Sequence, residues 1–305
     1  MSDVVVENVT KTYGEVLALE DLSLTVDAGF VGLLGTNGAG KTTLFKLLLG
    51  LDRPDDGHIE VLGRSPDDGE AVRERVGYLP ERAEFPDRLT GREVLEFHAR
   101  VRGVPVSTRD DRVTRLLAVV GLADAADRAV GGYSNGMNRR LGLATALVGN
   151  PDLLLLDEPT AGLDPLGIER FHDAVERLGD ELDLTVVFAS HALAEVERLC
   201  DRVILIHQGT RQAAGPVEEL RATQGTPTVS ASFADEAGAS AAATRVRALA
   251  DVETVEQVGD RLRVDTADPY AVLEAARAEQ PPTSFEVREP GLDRLFHSIT
   301  GGEAP

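Results

Sequence analysis

The chain has 305 residues, 52 acidic against 31 basic for a formal charge of −21, and only three of the basic residues are lysines. That balance argues against nucleic acid as a partner, which wants a basic face, and suits a salt-loving organism whose potassium-chloride-rich cytoplasm screens self-repulsion. The one cysteine, Cys200, excludes an intramolecular disulfide, and no apolar run approaches the roughly 18–20 residues that cross a bilayer.

Length predicts one large domain and one smaller one. Met1–Thr10 carries acids and lacks a basic, then apolar, secretory leader, so a cytosolic protein is expected, attached to membrane only through another chain. Val4-Val5-Val6 and Leu22–Val26 read as early strands. A further apolar run, Phe30–Leu34, leads into Gly35-Thr36-Asn37-Gly38-Ala39-Gly40-Lys41-Thr42-Thr43. This segment contains a complete GxxxxGK[ST] loop between a strand and a helical stretch, the context in which such a loop cradles phosphates with its backbone N–H groups. Lys41 is placed to bridge β- and γ-phosphate oxygens, and the Thr42 hydroxyl to ligate Mg²⁺. A nucleoside triphosphate is the expected ligand.

Asp55-Asp56-Gly57 reads as a turn before a strand at His58–Leu62, and Val76-Gly77-Tyr78-Leu79-Pro80 leads into Glu81. From about Thr90 to Leu122 the apolar spacing turns helical, through Val94, Leu95 and Phe97 and then Val113, Leu116, Leu117 and Val120. Tyr133-Ser134-Asn135-Gly136-Met137 precedes Asn138-Arg139-Arg140-Leu141, so Ser134 and Gly136 open an apolar helix at its amide end. Four leucines, Leu153–Leu156, end in Asp157-Glu158. A parallel strand covered on both faces reads this way, and such sheets bind ligands at the carboxyl ends of their strands. Asp157 is suited to hold Mg²⁺, and Glu158 to act as general base on the attacking water. Another apolar run, Leu184–Ala189, ends in Ser190-His191. Val203–His207 with Gln208-Gly209 is read as the last strand and turn of the large domain.

In this order the motifs resemble those of ATP-binding subunits of ABC transporters. The family's LSGGQ signature is kept here only as Ser134 and Gly136, and the YSxGM wording followed by basic residues is similar to the branch that serves ABC-2-type exporters. The resemblance implies an α/β fold: a P-loop ABC cassette over residues 1–220, with a helical subdomain at about 90–149, then a small α+β module over 221–305. It implies an ATPase whose hydrolysis drives transport, with ATP and Mg²⁺ as ligands. A multi-span membrane permease on a separate chain is implied, as is a second ATPase subunit, identical or related. Residue by residue, Tyr13 matches the aromatic that stacks on adenine. Ser134, Asn135, Gly136 and Met137 match the signature that caps the other subunit's ATP. Asp164, in Ala161-Gly162-Leu163-Asp164, matches the D-loop that contacts the opposite site, and His191 matches the γ-phosphate switch. Glu81 stands where the family usually has a Mg²⁺-sensing Gln; a carboxylate there still reaches the ion or its water.

Other P-loop classes fit less well. Lys11, Lys41 and Lys46 are the only lysines, so no Asn-Lys-x-Asp base-reading motif comes after the loop. The short gap from Lys41 to Ser134 holds no sustained heptads, unlike chromosome and repair relatives, and a single cassette separates the chain from translation factors. A soluble, non-transport ABC switch is the remaining alternative.

Beyond Gln224-Gly225-Thr226-Pro227, read as a linker, the sequence predicts a strand at Thr228–Phe233 and a helix at Ala237–Ala250. Strands come next at Val252–Val258 and Arg261–Thr266, then a helix at Pro269–Glu279, a strand at Phe285–Val287 and a closing helix through Leu292, Leu295, Phe296 and Ile299. Val61–Asp68, Tyr78–Glu81 and Leu89–Leu95 are similar to the ATPase involved in nitrous-oxide reductase maturation, which implies copper-site assembly as one possible service. No Cys/His cluster accompanies that resemblance.

Overall fold

The computed structural model describes residues 2–181, 184–223, 225–278, 280–288 and 291–300. Gln224 of the predicted linker and Glu279 of the predicted helix lie outside the described residues. In chain order the first compact unit, which runs to Val217, holds β1 (Val4–Tyr13), β2 (Val16–Val26), β3 (Phe30–Leu34), α1 (Lys41–Leu48), β4 (Asp56–Val61), α2 (Glu70–Arg73) and β5 (Val76–Leu79). Then come α3 (Gly91–Val101), α4 (Val106–Val119), α5 (Asn135–Leu147), β6 (Leu153–Asp157), α6 (Pro165–Glu181), β7 (Thr185–Ser190), α7 (Leu193–Leu199), β8 (Arg202–His207) and β9 (Thr210–Pro216).

Five of these strands form a parallel sheet in the order β5-β6-β7-β3-β8, with β9 antiparallel at its edge. Leu153–Leu156 are completely buried, which explains why β6 shows no polar alternation. The strand ends are nearly level: Leu34 pairs with Ser190, Asp157 with Ala189 and Leu79 with Leu156. The loop after β3, the carboxylates at the end of β6, His191 after β7 and Glu81 after β5 therefore emerge at one edge. A second, antiparallel sheet, β2-β1-β4, contributes Val4, Val6, Val9, Leu22 and Leu24 to the same core as Leu44, Phe45 and Leu48 of α1.

The helical region starts where Thr90 and Glu93 form a reciprocal cap, each side chain accepting the other's backbone N–H at 3.1 and 2.8 Å. It is not continuous to Leu122. Gly103, at φ 69°, and Pro105 separate α3 from α4, because proline restricts its neighbour and cannot extend the preceding turn. The large unit also contains a strand that the sequence pattern does not predict. Gln208 and Gly209, at φ 48° and 78°, turn the chain so that β9 pairs with β8. β9 is an edge strand with no buried side chain and no apolar alternation to announce it.

The second compact unit begins at Glu218. α8 (Val217–Ala222) straddles the division and is followed by β10 (Thr228–Ser232), α9 (Glu236–Val246), β11 (Val252–Val258), β12 (Arg261–Thr266), α10 (Pro269–Ala276), β13 (Ser284–Arg288) and α11 (Leu292–Thr300). Its antiparallel sheet runs β11-β12-β10-β13, and Val229, Ala231, Leu262 and Val264 pack against Ala239, Ala243, Val246, Val272 and Ala276 from α9 and α10.

Candidate nucleotide site

The loop after β3 is shaped by close backbone approach. A Cβ on Gly35 would lie 2.5 Å from the Ile206 carbonyl oxygen, and one on Gly40, at φ 107°, only 2.7 Å from that of Ala18. α1 follows Gly40, which as glycine offers no side-chain cap, and has no acid in its first turn, so its leading amides are available to an anion. Lys41 is buried at the base of the loop. Its Nζ donates to the carbonyls of Gly35 and Thr36 at 2.6 and 3.2 Å and lies 3.0 Å from Glu158 Oε1.

The carboxylates at the end of β6 divide the chemistry between them. Asp157 Oδ2 accepts from the Thr42 hydroxyl at 3.0 Å and from Tyr78 at 3.3 Å. Burial holds the Asp157 carboxyl above its usual range despite those two bonds. Its Oδ1 is buried with no hydrogen-bond partner among the described residues. An under-compensated carboxylate with a free oxygen beside a threonine hydroxyl suits a hydrated divalent cation. Among the described residues no group of three or more His, Cys, Asp or Glu is arranged to hold a metal alone. Mg²⁺ commonly takes one or two carboxylates and fills its octahedron with water and phosphate oxygens.

Glu158 sits at φ 43°, an uncommon conformation for a residue with a side chain. Its N–H donates to Ala189 at 2.9 Å, and His191 Nδ1 lies 2.7 Å from Oε2. A carboxylate fixes the imidazole with Nδ1–H toward it and leaves Nε2 for another contact. Behind this pair lies a second buried network. Glu195 accepts the Thr160 hydroxyl at 2.7 Å and that of Ser190 at 3.1 Å, tying the start of the 161–164 loop to the residue before His191.

A cleft of about 550 Å³ opens over these groups. It is lined by Thr36–Thr43, Glu81 and Glu158, with Tyr13, Val16 and Leu17 as an apolar wall. The Tyr13 ring is exposed at 42 %, as a stacking surface must be, and its hydroxyl donates to Asp52 at 2.6 Å. The Tyr13 hydroxyl, the Arg53 N–H and Lys11 hold the Asp52 carboxyl down at about 2.

Of the residues singled out in the sequence, Tyr13, Gly38–Thr43, Thr36, Asn37, Glu81 and Glu158 line this cleft; Gly35, Asp157 and His191 adjoin it through the contacts above. Ser134, Asn135, Gly136, Met137 and Asp164 do not line it. Ser134 caps α5, accepting from Met137 N at 3.3 Å, and Asp164 caps α6, accepting from Gly167 N at 2.9 Å. Gly136 faces Gly167 and Leu163, so the signature and the 161–164 loop lie together.

Arg139 stands in the sequence only as part of a basic run. It is 6 % exposed, and its guanidinium bonds the carbonyls of Pro80, Glu158 and Pro159. The available signal is a charged residue placed on the apolar face of a predicted helix.

The ABC transporter family model matches residues 19–161. An uncharacterised ABC transporter ATP-binding protein of Nostoc is 44 % identical over 70 % of the chain, and the match spans 64 % of that longer relative. The daunorubicin resistance ATP-binding protein DrrA3 of Streptomyces coeruleorubidus is 36 % identical over 98 % of the chain and 96 % of its own length. Neither name concerns copper or nitrous-oxide reductase. The structure of cbiO1 from Clostridium perfringens, part of the ABC transporter complex cbiONQ, superposes with a TM-score of 0.67 at 27 % identity, covering 72 % of this chain and 91 % of that one. With the phosphate loop, the paired carboxylates and the histidine brought together at one sheet edge, the chain belongs to the ATP-binding subunits of ABC transporters, with homologues in the ABC-2 exporter branch, a family that hydrolyses ATP to power transport.

Proposed function

We propose that this chain powers an ABC-2-type exporter by pairing with a second ATPase subunit, identical or related, around two ATP molecules. One observation carries the reading: the signature residues and Asp164 stand outside the cleft that their own Lys41 and Glu158 line. A site with Tyr13 for the base, Lys41 for the β- and γ-phosphates and Glu158 for the attacking water still lacks the cap on its γ-phosphate, and Ser134 and Gly136 of another subunit supply it.

Thr42 and Asp157 would hold Mg²⁺, with Glu81 reaching the ion or its water, and the bound ion would supply charge neutralisation on the phosphate oxygens. His191 holds the Glu158 carboxylate against the water that attacks the γ-phosphorus. The bond to the β,γ-bridging oxygen breaks, ADP and phosphate result, and Glu158 receives the water's proton. Positioning and site charge do most of the work in such a transfer.

No helix among the described residues is long and apolar enough to cross a membrane. The translocation path is then a separate multi-span permease, and the ATPase sits peripherally on its cytoplasmic side. We take residues 1–220 as the cassette and 221–305 as the appended module; the division of contacts between Val217 and Glu218 supports that partition. The near full-length likeness to a daunorubicin resistance protein and, equally, to Nod factor export proteins supports export without favouring one cargo class. Copper-site maturation has no such support.

The test is Glu158→Gln in the full chain with ATP and Mg²⁺, followed by light scattering and by capture from native membranes. An ATP-dependent pair that co-purifies with a multi-span protein is expected. ATP binding without pairing overturns the shared-site reading. A pair that captures no membrane protein, where a known transporter is captured in parallel, points instead to a soluble switch.

A further inference from the structure

A buried guanidinium is costly unless every donor finds an acceptor, so the surroundings of Arg139 are informative. The side chain leaves α5 one turn after the signature residues and passes under the sheet edge. Nε donates to Pro159 O at 2.8 Å, Nη1 to Pro80 O at 2.6 Å, and Nη2 to Glu158 O and, at 3.5 Å, Asp157 O. One planar fork thus reaches three successive carbonyls at the end of β6 and the carbonyl just before Glu81. Burial draws the guanidinium pKa down, opposed by the fields of Glu81, Asp157 and Glu158.

The consequence for Glu158 is geometric. Its backbone is held at positive φ by two bonds, N–H to Ala189 on one side and carbonyl to Arg139 on the other. Together they fix the two peptide planes that flank the Glu158 Cα, and so the direction in which the carboxylate leaves the chain. A lysine retains the charge but not the fork, and can satisfy only part of this set.

We propose that Arg139 is a positioning residue for ATP hydrolysis, tying the signature helix to the peptide of Glu158 so that movement of α5 is passed to the hydrolytic carboxylate of the same chain. The positioning role concerns one subunit; the passing of movement rests on the paired-subunit reading above, in which α5 meets the other subunit's nucleotide.

The experiment uses the full chain with Arg139→Lys and Arg139→Gln, scored per ATP-binding-competent molecule so that partial misfolding does not count. Both variants are expected to lose about 10- to 100-fold in kcat with KM and ATP affinity within about twofold, the pattern of a misplaced catalytic group. Hydrogen exchange at the Glu158 amide, measured without nucleotide, should quicken in both. In single-turnover assays on the Glu158→Gln background, Arg139→Lys should slow the residual reaction no further, because it acts through the missing carboxylate. A kcat within about twofold of the parent in either variant, or an equal additional loss on the Glu158→Gln background, overturns the positioning role.

The relay has its own readout. ATP-driven pairing of Glu158→Gln should slow exchange at residue 158, and adding Arg139→Lys should abolish that slowing while the pair still forms. Persistence of the slowing overturns the relay. If the Glu158→Gln parent fails to pair at all, the paired-subunit reading and the relay fall together, while the kcat and nucleotide-free exchange results decide the positioning role independently.

Discussion

His191 Nδ1 lies 2.7 Å from one oxygen of Glu158, while Lys41 Nζ lies 3.0 Å from the other. The carboxylate is therefore gripped by the phosphate-binding lysine on one side and by the residue after β7 on the other. Any anion drawn to Lys41 competes with Glu158 Oε1 for the same ammonium, which leaves His191 as the contact that keeps the carboxylate oriented. His191→Ala should lower kcat by about 10²-fold, within the range for loss of a group supporting general base catalysis, with ATP affinity nearly unchanged. Lys41→Ala should show the opposite pattern, losing ATP affinity first. Parallel binding titrations and steady-state kinetics separate the two; an affinity loss in His191→Ala equal to that in Lys41→Ala contradicts the assignment.

Glu195 offers a second test, on stability. Its carboxylate is buried and accepts the hydroxyls of Thr160 and Ser190, and the Ser190 oxygen in turn accepts the Ala192 N–H at 3.0 Å. Removing it leaves two buried hydroxyls without their acceptor, at a cost of about 1–3 kcal/mol for an unsatisfied buried group. Glu195→Ala should lower the urea midpoint accordingly, and Thr160→Val together with Glu195→Ala should cost less than the sum of the two single changes. Strict additivity would mean that the bond contributes nothing.

How far the sequence is legible depends on how local each device is. The phosphate loop, the Leu153–Glu158 run and the Ser134 cap depend on neighbours within a few residues, and the structure places each at a strand or helix end. Arg139 depends on Pro80, 59 positions away, and on Pro159, 20 away, so no local pattern could announce its partners. Glu195 stands in the sequence as one more acid until Thr160 is brought beside it. β9 is hidden for a different reason: an edge strand with no buried side chain on either face carries no apolar alternation, and Gln208-Gly209 signals a turn but not the strand beyond it.

Two histidines outside the catalytic group make stability depend on acid. His172 is 3 % exposed, lies edge-on to Phe188 with ring centroids 6.4 Å apart, and has no hydrogen-bond partner for either nitrogen among the described residues. Burial, with Arg198 nearby, draws its pKa below the ordinary value of 6.5; Glu176 and Asp173 oppose the shift. His98 is drawn down by burial and then by Arg102. The unfolded chain accepts these protons more readily than the folded one. Their contribution to stability is thus complete above pH 6.5, falls as pH drops through 6.5, and levels off below the depressed folded values. Urea midpoints should decline as pH falls through 6.5, and His172→Phe should flatten part of that slope. An unchanged slope in His172→Phe would mean that the ring is charged or solvated in the folded protein.

Charge sets the last expectation. With 52 acids against 31 bases, repulsion between carboxylates outweighs the attraction in the exposed ion pairs, such as Arg75–Asp152 at 2.7 Å and Arg92–Asp127 at 2.9 Å. Each such pair contributes at most about 1 kcal/mol, and salt weakens it. Salt also weakens the repulsion, which here involves the larger number of charges. Raising KCl from about 0.1 to about 1 M shortens the screening length from about 10 to about 3 Å, and the melting temperature should rise. Sodium chloride should act alike if screening is the cause. A melting temperature that falls with added KCl would show that the ion pairs outweigh the net charge of −21.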